Sequence, residues 1–148
     1  MTAPPFAANA PESRDSEHLQ LLAIFHFVLG GLALCGIGFL YLHYHLMRGV
    51  FAHPEIWKAG PGAAAPPKEF FEQFFRVFIW FYFFGGVLCV AISALNVVSG
   101  LFLLRRNHRI FSLVVAGLDC VQFPLGTALG VCTILVLLRD SVRQSYEQ

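Results

Sequence analysis

Between Val77 and Leu104 the chain carries no charged residue, and similar apolar runs extend from Leu19 to Leu46 and, interrupted only by Asp119, from Ile110 to Leu138. A bilayer's hydrocarbon core is about 30 Å thick and takes roughly 20 apolar residues of helix to cross, a length that the first two runs exceed. The expected class is an all-α integral membrane helical bundle, with the lipid bilayer as its first partner. Composition agrees: 57% of residues are hydrophobic and 13% charged, against about 45–50% and 25% in soluble domains.

A formal net charge of +1, with ten Lys and Arg scattered along the chain, provides no field for nucleic acid. A chain of 148 residues makes one bundle, without room for a separate soluble domain. Cys35, Cys89, Cys120 and Cys132 each lie inside an apolar run with no C-x-x-C pair, which fits small packing residues better than redox or metal chemistry.

Residues 1–18 hold Pro, Ala and charges without periodicity and read as a mobile tail. The apolar run after them is too long for a secretory signal, so an uncleaved first span is expected. Residues 48–68 are rich in Pro, Gly and Ala and read as a loop. Trp57 and the group Phe70, Phe71, Phe74 and Phe75 have the composition of an interfacial aromatic belt, with the next helix starting near Pro67.

Arg105, Arg106 and Arg109 form a short basic loop, which the positive-inside rule assigns to the cytoplasm, with the Trp57 loop outside. The run after it is either one long helix or two meeting near Asp119 to Pro124. Asp119 and Gln122 interrupt the apolar pattern there, and Pro124 suits a first helical turn. Two helices over about 107–120 and 124–139 would each be only about 21–24 Å long. The expectation is four transmembrane helices over residues 19–139, both termini cytoplasmic and 140–148 a tail, with three helices as the alternative.

Small residues at helical spacing mark where membrane helices approach closely. The second span supplies Gly86, Cys89, Ser93, Asn96 and Gly100 in a 3-4-3-4 stripe. The first gives Gly31, Cys35 and Gly38, the third Ser112, Ala116 and Asp119, and the fourth Gly126 and Gly130.

The segment Phe123-Pro124-Leu125-Gly126-Thr127-Ala128-Leu129-Gly130, continuing through Leu138 and preceded by Gly100-Leu101-Phe102-Leu103-Leu104-Arg105-Arg106, resembles a widespread group of small bacterial multi-span membrane proteins. That group has no established activity. The resemblance covers roughly the second half of the chain and implies a helical layout in a bacterial cytoplasmic membrane. It departs at Cys132, often aromatic there, and at Asp119, usually neutral, and it carries over no catalytic or binding residue.

Polar groups inside apolar runs are the usual pointers to function. Asn96 fits an interhelical hydrogen bond, Asp119 a solvated outer turn or a cap on the helix after Pro124, and Gln122 the same turn. His43 and His45 project roughly 200° apart on a helix and cannot share a metal. His26 lies deeper, but haem would need a second His facing it. No catalytic, cofactor or metal motif is present, so the expectation is no enzyme and no cofactor. The leading reading is a structural or accessory membrane protein packing with itself or a larger complex. The alternative is a small carrier or channel with a polar path around Asn96, Asp119 and Gln122.

Overall fold

The computed structural model describes residues 10–53, 60, 62 and 67–146, with side chains for all of these except 10–13 and 68. They form five helices and no strand: α1 Ala10–Phe51, α2 Lys68–Arg105, α3 Arg109–Asp119, α4 Leu125–Leu137 and α5 Asp140–Ser145. Two stretches, Arg14–Phe51 and Glu69–Arg105, are long and apolar enough to cross a membrane, and α4 is a shorter apolar helix. Only 22% and 28% of their most apolar windows are buried within the protein, whereas the core helix of a soluble domain would be mostly covered.

Helix α1 begins inside the segment expected to be a mobile tail. Pro11 stands in its first turn, where its missing N–H costs no helical bond. Asp15 lies 3.7 Å from Arg139, tying that turn to the chain's C-terminal part. The loop expected over 48–68 is narrower, because α1 continues through Phe51 and α2 starts at Lys68, close to the expected Pro67. Trp57 lies outside the described residues.

At its other end α2 closes with a left-handed turn. Arg106 adopts φ 51°, Asn107 N–H reaches the Phe102 carbonyl at 3.0 Å and Arg106 N–H the Leu103 carbonyl at 3.4 Å, the Schellman pattern. His108 is also left-handed, at φ 50°, and turns the chain straight into α3. The next break falls where Asp119, Gln122 and Pro124 interrupt the apolar run, as expected. α3 and α4 are therefore an antiparallel hairpin whose open end is fastened by Arg109, whose Nε–H donates to the Leu137 carbonyl at 2.8 Å.

The chain divides into two compact units. In the first, residues 1–32 with 92–148, the apolar core comprises Leu19, Leu22, Ala23, Leu103, Leu129, Leu137 and Val142. Val142 belongs to α5, so residues expected to be a C-terminal tail fold back instead. Val142 and Tyr146, four apart, share one face of that turn and meet the core. In the second unit, residues 33–91, aromatic rings carry the contacts: Phe51 meets Phe71, Phe74 and Phe75, and Tyr44 meets Phe75 and Tyr82.

The small-residue faces are placed unevenly. Ser93, Asn96 and Gly100 on α2, Ser112, Ala116 and Asp119 on α3, and Gly126 and Gly130 on α4 are all buried. A methyl group added at Gly126 would stand 2.6 Å from the Asp119 carbonyl oxygen, and one at Gly130 would collide with the Ala116 carbonyl. Gly31, Gly38 and Gly86 are a correction: added side chains there meet nothing within 4 Å, and Cys35 is exposed. Gly30, Gly36 and Gly85 make the close approaches instead, to Ser93, Cys89 and Leu40. The 3-4 spacing fits two neighbouring stripes of α1 equally well. The one that turns inward continues Leu19, Leu22, Ala23 and His26, since burying that apolar set fixes the rotation.

Gly130→Leu and Gly126→Leu are each expected to lower stability in detergent by at least about 1–3 kcal/mol, since backbone carbonyls cannot move aside. Gly31→Leu is expected to be within about 0.5 kcal/mol of the parent. Thermal unfolding of the three variants checks this, and equal losses would contradict the helix rotation described.

Candidate functional site

Four polar side chains from three parts of the sequence meet inside the first unit. Leu22, Ala23 and Leu19 turn one face of α1 inward, which carries His26 to complete burial, at 0% exposure. The Ser93, Asn96 and Gly100 stripe of α2 is the second wall. The third is the α3–α4 turn, where Gln122 N–H bonds the Asp119 carbonyl at 2.8 Å and Thr127 Oγ1–H bonds the Cys120 carbonyl at 2.8 Å. Close approach of Gly126 and Gly130 to this turn brings α4 against α3 and holds Asp119, 1% exposed, toward Asn96.

The carboxylate is the hub. Asn96 Nδ2–H donates to Asp119 Oδ1 at 2.9 Å, and Gln122 Nε2–H donates to the same oxygen at 3.1 Å. Asn96 Nδ2 also lies 3.1 Å from the Ile92 carbonyl of its own helix. The second carboxylate oxygen, Oδ2, faces His26 Nε2 at 3.7 Å. On the imidazole's other side, Nδ1 lies 2.9 Å from the Leu22 carbonyl. A carbonyl only accepts, so Nδ1 carries hydrogen. Nε2 and Oδ2 then attract only when a proton lies on one of them, because two lone pairs facing each other would repel. At 3.7 Å the two atoms are beyond hydrogen-bond distance, and neither has another partner.

Asp119 was expected at a solvated outer turn or as a cap for α4. It is neither: it is enclosed, and α4 has no side-chain cap. The reason is length, since α3 has 11 residues and rises only about 16 Å from the basic loop. That is the level of Asn96, nine residues or about 14 Å back from Arg105 along α2. Gln122 serves the turn as expected, and Asn96 makes the expected interhelical bond.

Reading the sequence missed that His26 joins Asp119. The signal was present, since His26 continues the 3-4 apolar stripe of Leu19, Leu22 and Ala23, but spacing alone could not choose that stripe. Ser99 and Thr133 were also missed, whereas Ser112 belongs to the stripe marked on α3. Each buries a hydroxyl without a hydrogen-bond partner, on the inward faces of α2, α3 and α4. Of the other histidines, His43 Nδ1 lies 2.7 Å from the Tyr82 hydroxyl, and His45 is exposed beside Tyr41. Among the described residues no three His, Cys, Asp or Glu side chains come together as metal ligands.

Comparison with known proteins finds no matching family model, no similar curated protein and no similar solved structure. The cluster is therefore read from its own geometry. Asn96→Ala and Asp119→Ala are each expected to destabilise the protein by about 1–2 kcal/mol, and the double variant by clearly less than their sum, because both remove one shared bond. A double-mutant cycle from unfolding in detergent measures the coupling. Strict additivity would show that the Asn96–Asp119 bond contributes nothing.

Proposed function

We propose that this chain is a structural or accessory integral membrane protein, packing with itself or a larger membrane complex and doing no chemistry of its own. The observation that carries this reading is the use made of the buried polar groups. Asn96 and Gln122 both direct their amides to one carboxylate oxygen, which ties α2 to the α3–α4 turn. Buried hydrogen bonds of this kind hold membrane helices together where water exclusion cannot.

In this reading α1 and α2 cross the bilayer, with the basic loop on the cytoplasmic side. The α3–α4 pair, about 16 and 20 Å long, enters and leaves from that side instead of making the third and fourth full crossings. Val121 and Phe123 at the turn are 83% and 86% exposed, which suits lipid and would be costly in an outer aqueous turn. Non-helical backbone at that depth needs its polar groups bonded internally, and the N–H groups of Val121, Gln122 and Phe123 bond the carbonyls of Leu118, Asp119 and Val121. Asp15, Arg139, Arg109 and Leu137 gather at the same end, which supports placing both terminal segments in the cytoplasm.

The carrier or channel alternative is favoured by one observation, the unbonded Asp119 Oδ2 and His26 Nε2 facing each other. Vesicles reconstituted with the protein and loaded with a pH-sensitive dye distinguish the two. The structural role predicts vesicles as tight to protons as protein-free controls. Proton flux that disappears with Asp119→Asn, with folding intact, would establish the carrier.

A further inference from the structure

At the open end of the hairpin the basic loop and the C-terminal turn border a cavity of about 370 Å³, lined by Arg106, His108, Arg109, Ile110, Arg143 and Tyr146 among others, with no carboxylate among the described residues of its wall. Three guanidinium groups converge there. Arg109 is held in place by its bond to the Leu137 carbonyl and has four of its five N–H groups left over. The start of α3 opens into the same space, and His108, its N-cap residue, makes no side-chain capping bond. The first amides of a helix carry partial positive charge and favour an anion.

Two further features tell what kind of anion fits. The Tyr146 hydroxyl is buried in this wall without a hydrogen-bond partner. Burial raises the phenol above its ordinary range while Arg106 and Arg109 pull it the other way, and the net rise keeps it protonated, an O–H donor, at neutral pH. Beside these donors stands Ile110, 81% exposed, so the cavity joins a cationic, donor-rich floor to an apolar rim. A free inorganic anion would leave that rim in water; a phosphate attached to acyl chains would cover it. Arg106 and His108 are both held at positive φ, a conformation that costs a non-glycine residue on the order of 1 kcal/mol, and the Phe102 ring lies 4.8 Å from the His108 ring. The loop is thus fixed in a shape that directs its basic side chains to one place.

We propose that this cavity binds the phosphate of an anionic phospholipid headgroup, with Arg106, Arg109, Arg143 and the Tyr146 hydroxyl as donors and Ile110 against the acyl chains. The site rests on the reading that α1 and α2 cross a bilayer, which puts the basic loop at headgroup depth. Guanidinium groups bind phosphate oxygens in pairs, and basic pockets at helix ends on the cytoplasmic side suit such headgroups.

The test uses full-length protein in a neutral maltoside detergent, titrated with phosphatidylglycerol or with phosphatidylcholine of the same acyl chains, and read by native mass spectrometry. One phosphatidylglycerol should be retained in preference to phosphatidylcholine. Arg106→Gln should weaken it about fivefold, and Tyr146→Phe about threefold, in variants that remain helical by circular dichroism. Arg139→Gln removes the same charge from the same end but outside the cavity wall, and should change nothing. Millimolar inorganic phosphate should fail to displace the lipid. Equal retention of both lipids, equal loss from Arg106→Gln and Arg139→Gln, or displacement by free phosphate would each overturn the lipid site while leaving the membrane reading intact. Recovery of the chain in the soluble fraction without detergent would overturn the membrane reading first, and the site with it.

Discussion

The carboxylate of Asp119 is the point on which the first unit turns. One oxygen accepts from Asn96 and Gln122, the other faces His26, and the residue's own main-chain carbonyl closes the hairpin turn. A charged group taken out of water is costly unless it is paired and bonded, and the penalty grows where the surroundings are apolar. The neighbours of Asp119 therefore have to come from α1, α2 and the turn at once. That requirement specifies how far the hairpin reaches along α2 and which face of each long helix turns inward. Uniform apolar packing would leave both choices open, because a leucine-rich helix gains nearly as much at one rotation as at the next.

The rest of the molecule inverts the order of a soluble protein. Its described core is a short set of apolar residues around Leu19, Leu103 and Leu137, while large apolar side chains from Leu21 to Leu138 lie exposed. What is buried instead is small or polar: Gly30, Ser93, Asn96, Ser99, Gly100, Ser112, Ala116, Gly126, Gly130 and Thr133. Small side chains let backbones approach, and Asn96 bonds across the gap to Asp119, the pattern expected where the solvent is hydrocarbon. The polar end, with its left-handed Arg106 and His108, stands apart as the place where chain reversal and positive charge coincide.

Much of this was legible in the sequence because it depends on local chemistry. Charge-free runs marked the long helices, Arg105 to Arg109 marked one reversal, and Asp119 to Pro124 marked the next. The stripes on α2 and α3 were legible too, since Asn96 and Asp119 cannot face lipid at low cost, and that on α4 through the spacing of Gly126 and Gly130. The rotation of α1 was not. Gly31, Cys35 and Gly38 repeat with the same spacing as Ala23, Phe27 and Gly30, and only the burial of Leu19, Leu22, Ala23 and His26 against residues far away in sequence decides between the stripes. The depth of Asp119 failed for a similar reason. A helix's length limits how far its end can reach, yet the sequence alone did not say that α3 stops level with Asn96. Nor did local pattern show that α5 would fold back, because its burial relies on two residues, Val142 and Tyr146.

In the proposed topology the α3–α4 turn lies at mid-depth, enclosed by protein on the Asp119 side and facing hydrocarbon on the other. Nitroxide labels placed at Phe123, and at Val97 on α2 as the reference for the same level, measure this directly in lipid vesicles. Power saturation compares contact with oxygen, which concentrates in the bilayer centre, against contact with a water-soluble nickel chelate. Both labels should be oxygen-accessible and shielded from nickel to the same degree. A Phe123 label reached by nickel as readily as one on an aqueous loop would place the turn in water and contradict it.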